Sequence, residues 1–169
     1  RPGTDVALML ALAFEIVAAG REDRAFLARC TAGWETLRAY LSGESDGVAK
    51  TAEWAAALCD IDAATIRALA LELTGKRSMV SLTWGMQRAD HGEQPLWAGL
   101  ALASVIGQIG RPGCGFAFGY GSTTPVGRDA PLVDWPSMPQ GVNPVRDYIP
   151  VARIADMLLR PGEAYTYNL

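Results

Sequence analysis

Histidine is nearly absent. One residue, His91, stands in 169, so a His-pair metal site or a histidine-based triad built within this chain is nearly excluded. Lysine is almost as scarce: Lys50 and Lys76 are the only two, and the other 13 of the 15 basic residues are arginines. Excess positive charge is missing as well. The 18 Asp and Glu leave a net charge of −3 and a pI near 5.1, without the electrostatic footprint of a nucleic-acid or anionic-membrane partner. Three cysteines, Cys30, Cys59 and Cys114, are too few and too far apart for a CxxC metal spacing or an even-numbered disulfide framework. They are expected as buried, reduced thiols. No apolar run is long enough for a membrane span: Val6 to Ala19 carries only Glu15 as a charge, and at about 1.5 Å per residue it falls short of a hydrocarbon core of roughly 30 Å. Membrane insertion is therefore not expected.

What is present is a globular composition, 50% hydrophobic and 20% charged, and a length suited to one compact domain. The opening residues RPGTD carry no initiator Met, basic n-region or small-residue cleavage site before the apolar run. A processed end or an internal piece of a longer chain is expected. The Val6–Ala19 run reads as a helix apolar almost all round, which needs neighbours on every side and suggests missing partner segments.

Residues 1–109 read as helix-rich. Thr4 or Asp5 can cap the first helix and Gly20 can end it. Shorter amphipathic pieces follow at Arg21 to Cys30, at Trp34 to Leu41 and, capped by Thr51, at Ala52 to Leu58, with GESDG at 43–47 as a turn. Asp62 to Thr74 is the clearest helix: Asp62 is its N-cap, Ile61 and Ile66 stand at staple positions, and Ile66, Leu69, Ala70 and Leu73 share a face. Ser78 to Trp84 predicts a short buried strand. Glu93 to Gly110 predicts another apolar helix with Leu96, Trp97, Leu100, Val105 and Ile106 inside. Residues 110–149 read as a long Gly/Pro-rich loop, since positions 110–150 hold 7 Gly and 7 Pro. Residues 150–169 read as a C-terminal helix, Pro150 to Leu159, and a tail. The expected fold class is thus α/β, a predominantly helical fragment with few short strands.

GCGFAFG at 113–119 follows a helix and precedes a loop, whereas a dinucleotide fingerprint needs GxGxxG between strand and helix, so it reads as a turn. WGMQRADHGEQ at 84–94 is more informative. It puts Trp, Gln, Arg, His and two carboxylates directly after a predicted strand, the position that faces the ligand crevice in open α/β sheets. There Gly85 lets backbone approach a ligand, and Arg88 offers a planar fork suited to phosphate. His91, beside Asp90 and Glu93, reads as a surface hydrogen-bonding group. At the other end, PGTD sets a Gly, a hydroxyl and a carboxylate at a helix mouth. Such a group can cap the helix, and an Asp carboxylate there can also accept from the N1–H and N2–H₂ of a guanine edge.

RPGTDVALMLALA, SDGVAKTAEWAA, WGMQRADHGEQPLW and LASVIGQIGRPGCGFAFGY together resemble the large catalytic subunit of the dimethyl sulfoxide reductase family of molybdenum enzymes, in the group of biotin sulfoxide, dimethyl sulfoxide and trimethylamine N-oxide reductases. AFLARCTAGW and LSGESDGVAKTAEWAA are similar to the biotin sulfoxide reductase branch. Such enzymes are several times longer, so the resemblance implies an internal fragment of a larger multi-domain molybdopterin-binding fold. Its cofactor would be bis(molybdopterin guanine dinucleotide) molybdenum. By this resemblance Gly3, Thr4 and Asp5 are nucleotide contacts, and Trp84, Gly85, Gln87 and Arg88 approach the pterin and the substrate funnel. Relatives often carry Ser where this chain has Gly85, which leaves a backbone contact and no side-chain contact. The serine that ligates molybdenum in this group is expected upstream, so no residue here, Ser122 included, is assigned as catalytic or as a metal ligand. Trp135 and Met138 are expected to pack.

The implied reaction is oxygen-atom transfer from an S-oxide or N-oxide, completed by two electrons and two protons from an electron donor. The isolated fragment would be inactive. The compartment follows the branch: cytoplasmic if biotin sulfoxide reductase-like, periplasmic if like the dimethyl sulfoxide or trimethylamine N-oxide reductases. Two alternatives are a fragment of a nitrate reductase or formate dehydrogenase relative, with a different metal ligand, and a non-enzymatic helical interaction module, which predicts an exposed apolar groove and no guanine site.

Overall fold

The computed structural model describes residues 1–118 and 153–160, together with 136, 138, 139, 141, 142, 144, 162 and 163. The apolar run near the start forms α1 (Asp5–Ala18). It is followed by α2 (Arg24–Cys30), α3 (Trp34–Ser42), α4 (Ala52–Cys59) and α5 (Ala63–Gly75). Strand β1 (Met79–Leu82), a 3₁₀ turn at Trp84–Gln87, α6 (Gln94–Ile106) and strand β2 (Gly115–Phe118) come next. By compactness the chain divides into Arg1–Ala130 and Pro131–Leu169. In the second unit the described helix is α7 (Ile154–Leu159), where Asp156 pairs with Arg153 and Arg160. Met138, expected to pack, is 82% exposed there. Ser122, Trp135 and residues 150–152, at the start of the predicted Pro150–Leu159 helix, lie outside the described residues; that helix ends at Leu159 as predicted.

Helix α1 is buried almost all round, as its sequence requires. Its neighbours come from within the chain: α3, α4, α5 and α6 pack against it. Leu8, Leu10, Phe14 and Val17 are only partly covered by them. Ala11, Leu12, Ala13 and Ile16 join Leu41, Ala55, Ile66, Ala70, Leu102 and Val105 in one core. The single charge of the run, Glu15, is satisfied at the edge of that core. Its Oε1 accepts from the Ala52 backbone N–H at 2.9 Å and its Oε2 lies 3.4 Å from Arg67 Nε, so α1 closes the N-terminus of α4.

Local chemistry sets most boundaries. Thr51 and Asp62 accept from Trp54 N–H and Thr65 N–H, capping α4 and α5. Asp23 caps α2 through Phe26 N–H, so that helix starts at Arg24 and not at Arg21. Thr4 occupies the N-cap position of α1, but its hydroxyl donates to the Arg1 carbonyl at 2.6 Å, and neither Thr4 nor Asp5 supplies the expected cap. Leu69, expected on the packed face of α5, is 37% exposed; Ile66 and Ala70 carry that face.

Strands β1 and β2 pair in parallel, Met79 opposite Gly115 through Leu82 opposite Phe118. The turn expected for GCGFAFG is therefore corrected: Gly115 to Phe118 form a strand because an aromatic and apolar run finds a partner edge in β1. A parallel pair requires a crossover, and α6 supplies it. Helix α6 lies close on the strands. A Cβ at Gly99 would stand 2.5 Å from Leu82 Cδ1 and 3.3 Å from Phe116. The buried Gln108 ties the two strand entries together, with Oε1 accepting from Ser78 N–H and Nε2 donating to the Lys76 carbonyl, each at 2.8 Å. Among the cysteines only Cys59 is buried; Cys30, at the end of α2, is exposed and Cys114 half-buried, all free.

Candidate functional site

In a β1–α6–β2 unit the two strands end at the same edge of the sheet, and whatever follows each strand is delivered there. The segment that follows β1 is WGMQR. Met86 turns inward against the core, while Trp84, Gly85, Gln87 and Arg88 are exposed. Trp84 leans on Phe118, the last residue of β2, with ring centroids 4.5 Å apart and planes at 50°, an arrangement typical of paired aromatics. The indole is thus fixed across both strand ends with one side open to solvent.

The turn is shaped by a close approach further on. A Cβ at Gly92 would stand 2.0 Å from the Gln87 carbonyl oxygen, so only glycine allows residues 88–91 to fold back over the turn. At Gly85 the opposite holds: no atom lies within 4 Å of a Cβ built there, leaving open space beside the backbone. Among the described residues Arg88 makes no side-chain hydrogen bond or ion pair, so its fork of donors is uncommitted. His91 is exposed and lies 3.8 Å from Asp90 and 3.9 Å from Glu93, a surface group as its neighbours suggest. The Glu93 carboxylate, stabilised first by its own backbone N–H and then by the Gln94 amide, sits below the usual carboxylate range.

Gly3, Thr4 and Asp5 lie at the N-terminus of α1. The segment is anchored through Arg1, whose backbone nitrogen donates to the Cys59 carbonyl at 2.8 Å and whose guanidinium reaches the Leu58 carbonyl and Asp60 at 3.1 and 3.2 Å. It is thus clamped to the C-terminal end of α4, where a cation is favoured by unpaired carbonyls. Asp5 is exposed, and no side chain caps the helix start. The two predicted sets therefore occupy separate, solvent-facing places. No hydrogen bond, ion pair or ring contact joins them among the described residues.

Sequence reasoning missed the second face of α6. Leu96, Trp97 and Leu100 were expected inside, yet Trp97 is 73% and Leu100 49% exposed. With Phe26, Phe116 and Phe118 they line an apolar groove of about 970 Å³ that adjoins the Trp84 stack through Phe118. Both faces of α6 are apolar, so periodicity could not say which one faces the core. No cluster of three or more His, Cys, Asp or Glu suited to a metal occurs among the described residues, and none of their helices is long and apolar enough to cross a membrane.

Comparison with known proteins identifies the context of this geometry. A family model described as molybdopterin oxidoreductase matches residues 1–158. The chain is 56% identical over 168 residues to a biotin sulfoxide reductase of Cereibacter sphaeroides, covering 99% of this chain and 23% of that protein. It is 43% identical over 181 residues to a dimethyl sulfoxide/trimethylamine N-oxide reductase of the same organism, covering 99% of this chain and 22% of that protein. A trimethylamine-N-oxide reductase of Haemophilus influenzae is 41% identical over 176 residues, with 98% and 21% covered. The chain thus spans between a fifth and a quarter of the length of these relatives, and by the match along residues 1–158 it belongs to the molybdopterin oxidoreductase family.

Proposed function

We propose that this chain is a cofactor-binding segment of an enzyme that reduces S-oxides or N-oxides by oxygen-atom transfer. Family membership implies a molybdenum–molybdopterin cofactor, and the finer reading is its bis(guanine dinucleotide) form. One observation supports the assignment: the parallel β1–α6–β2 unit brings Trp84, Gly85, Gln87 and Arg88 to the shared strand edge, exposed and, among the described residues, with no side-chain hydrogen bond or ion pair. Glu15, Lys50 and Gln108 are satisfied by their neighbours, whereas among the described residues this edge holds an uncommitted guanidinium beside open backbone.

The residues fit such a group on physical grounds. Arg88 can fork onto a phosphate or pterin oxygen, the open side of Gly85 admits a flat ring against backbone, and Trp84 walls the approach. At α1 the exposed Asp5 carboxylate would repel a phosphate, but it suits the paired N1–H and N2–H₂ donors of guanine. Gly3 and Thr4, clamped through Arg1, present that carboxylate. When bound, the molybdenum and its dithiolenes supply the oxygen-atom and electron transfer; this chain's part is to bind, orient and limit access. The metal ligand and the remaining domains belong to other segments of the enzyme in this reading, and an electron donor is a further partner. Its compartment is cytoplasmic in a biotin sulfoxide reductase and periplasmic in an exported relative. The apolar groove is the feature that an interaction module would show, but the family match sides with the enzyme.

Three measurements test the reading. The 169-residue chain alone, given cofactor and a reduced viologen dye, should reduce sulfoxide no faster than cofactor by itself. In the complete reductase, Arg88→Lys keeps the charge and loses the fork. One charge-assisted hydrogen bond is worth about 1.5–3 kcal/mol, so cofactor retention or kcat/KM should fall roughly 10- to 100-fold; unchanged kinetics and cofactor content refute the assignment. Asp5→Asn confronts a guanine donor with an NH₂ group at about 1–3 kcal/mol. It should therefore lower released guanine nucleotide per protein at an unchanged melt, whereas full occupancy contradicts guanine recognition.

A further inference from the structure

The motif SDGVAKTAEWAA contributes nothing to the edge just described, yet it holds the chain's most unusual side chain. Lys50, on the connection between α3 and α4, is 2% exposed. Its ammonium donates to Asp46 Oδ2 at 2.7 Å and to the Val48 carbonyl. The Tyr40 ring lies against it, 4.1 Å from Nζ to the centroid, and the Trp54 ring lies at 5.7 Å. Carboxylate, carbonyl and two aromatic faces are the elements by which proteins recognise alkylammonium ions.

The choice of residue is informative. Of 15 basic side chains 13 are arginines, and among the described residues the one fully buried is a lysine. The other lysine, Lys76, is 70% exposed and makes a surface pair with Glu72. A compact ammonium suits a cage that offers two acceptors and two ring faces; a planar guanidinium with five donors does not. The cage is also built from its own turn. Asp46 Oδ1 accepts from Val48 N–H at 3.1 Å and Lys50 N–H donates to the Leu41 carbonyl at 2.9 Å. The Asp46 carboxyl is held below its ordinary range first by the Lys50 ammonium and then by the Val48 N–H. Directly after it, Thr51 and Glu15 close the start of α4.

We propose that the α3–α4 connection is an alkylammonium-binding cage filled from within the chain, with the Lys50 ammonium as resident ligand and small primary alkylammonium ions as the class it accepts once Lys50 is truncated. The cage fastens the entry of α4, so an empty cage is an unfastened connection.

Lys50→Ala in the full chain removes what n-propylammonium would replace. The variant should melt several degrees below the parent, and n-propylammonium should restore the melt saturably and change Trp54 fluorescence with the same midpoint. Equal n-propanol or sodium chloride should do neither. Restoration by n-propanol as well would show simple cavity filling and overturn the proposal, as would a folded variant indifferent to n-propylammonium. If Lys50→Ala does not fold, NMR of the unsubstituted chain decides. The Lys50 ε-methylene protons should be shifted upfield by the Tyr40 ring and relax towards ordinary values in Tyr40→Leu; ordinary values in the parent would overturn the proposal. Lys50→Arg should not substitute for lysine in the melt.

Discussion

The core around α1 and the edge after β1 belong to one compact unit and treat their polar groups in opposite ways. Around α1, Glu15 is answered by Ala52 N–H and Arg67, and Lys50 by Asp46, the Val48 carbonyl and two rings. After β1 the side chains of Gln87 and Arg88 are exposed and, among the described residues, unanswered. The burial cost of polar groups explains the first pattern, since an unpaired buried charge costs several kcal/mol. Nothing in folding requires the second. The contrast separates residues that hold the fold from residues that the fold leaves exposed.

If the division is right, substitutions in the core should cost stability and those at the edge should not. The largest loss is expected for Ile16→Ala, at the centre of α1 and fully buried, at about 2–5 kcal/mol in urea unfolding. Next comes Glu15→Ala, which leaves the Ala52 N–H without its acceptor and should cost about 1–3 kcal/mol. A smaller effect is a pH slope. The Asp62 carboxyl lies below its ordinary value of 3.8, through the Thr65 hydroxyl first and the Thr65 N–H second. A carboxylate depressed in the folded state contributes stability above its unfolded pKa and loses it as pH falls through the folded value. Asp62→Asn keeps a good cap, so it should flatten the acid limb of the melting profile while changing the neutral melt little. Smallest of all, Arg88→Lys and His91→Ala should stay within about 0.5 kcal/mol of the parent; a large loss at Arg88 would break the comparison.

Much of this division was legible in the sequence. The caps at Thr51 and Asp62, the strand at Met79–Leu82 and the placement of WGMQR directly after it follow from short-range chemistry that operates inside a few residues. Strand β2 was not legible, because its partner β1 lies more than thirty positions away and GCGFAFG on its own carries turn-forming glycines. The orientation of α6 was hidden by apolar residues on both sides, which left Trp97 and Leu100 assigned to the wrong face. Lys50 and Gln108 were invisible for another reason: a polar residue gives no sequence sign that its partners will assemble around it. The position of Gly85 and Arg88 directly after a strand was legible, whereas the Gly92 contact that shapes their turn depends on the Gln87 carbonyl in space.

In the proposed function the edge after β1, together with the α1 mouth, faces the cofactor. Hydrogen–deuterium exchange of the complete reductase, purified with and without molybdenum cofactor, tests it directly. Cofactor loading should slow exchange of amides in 84–93 and 3–7, and leave the solvent face of α5 around Ala68 and Leu69 unchanged. Equal exchange at 84–93 in the two forms, with protection appearing elsewhere in the chain, would contradict it.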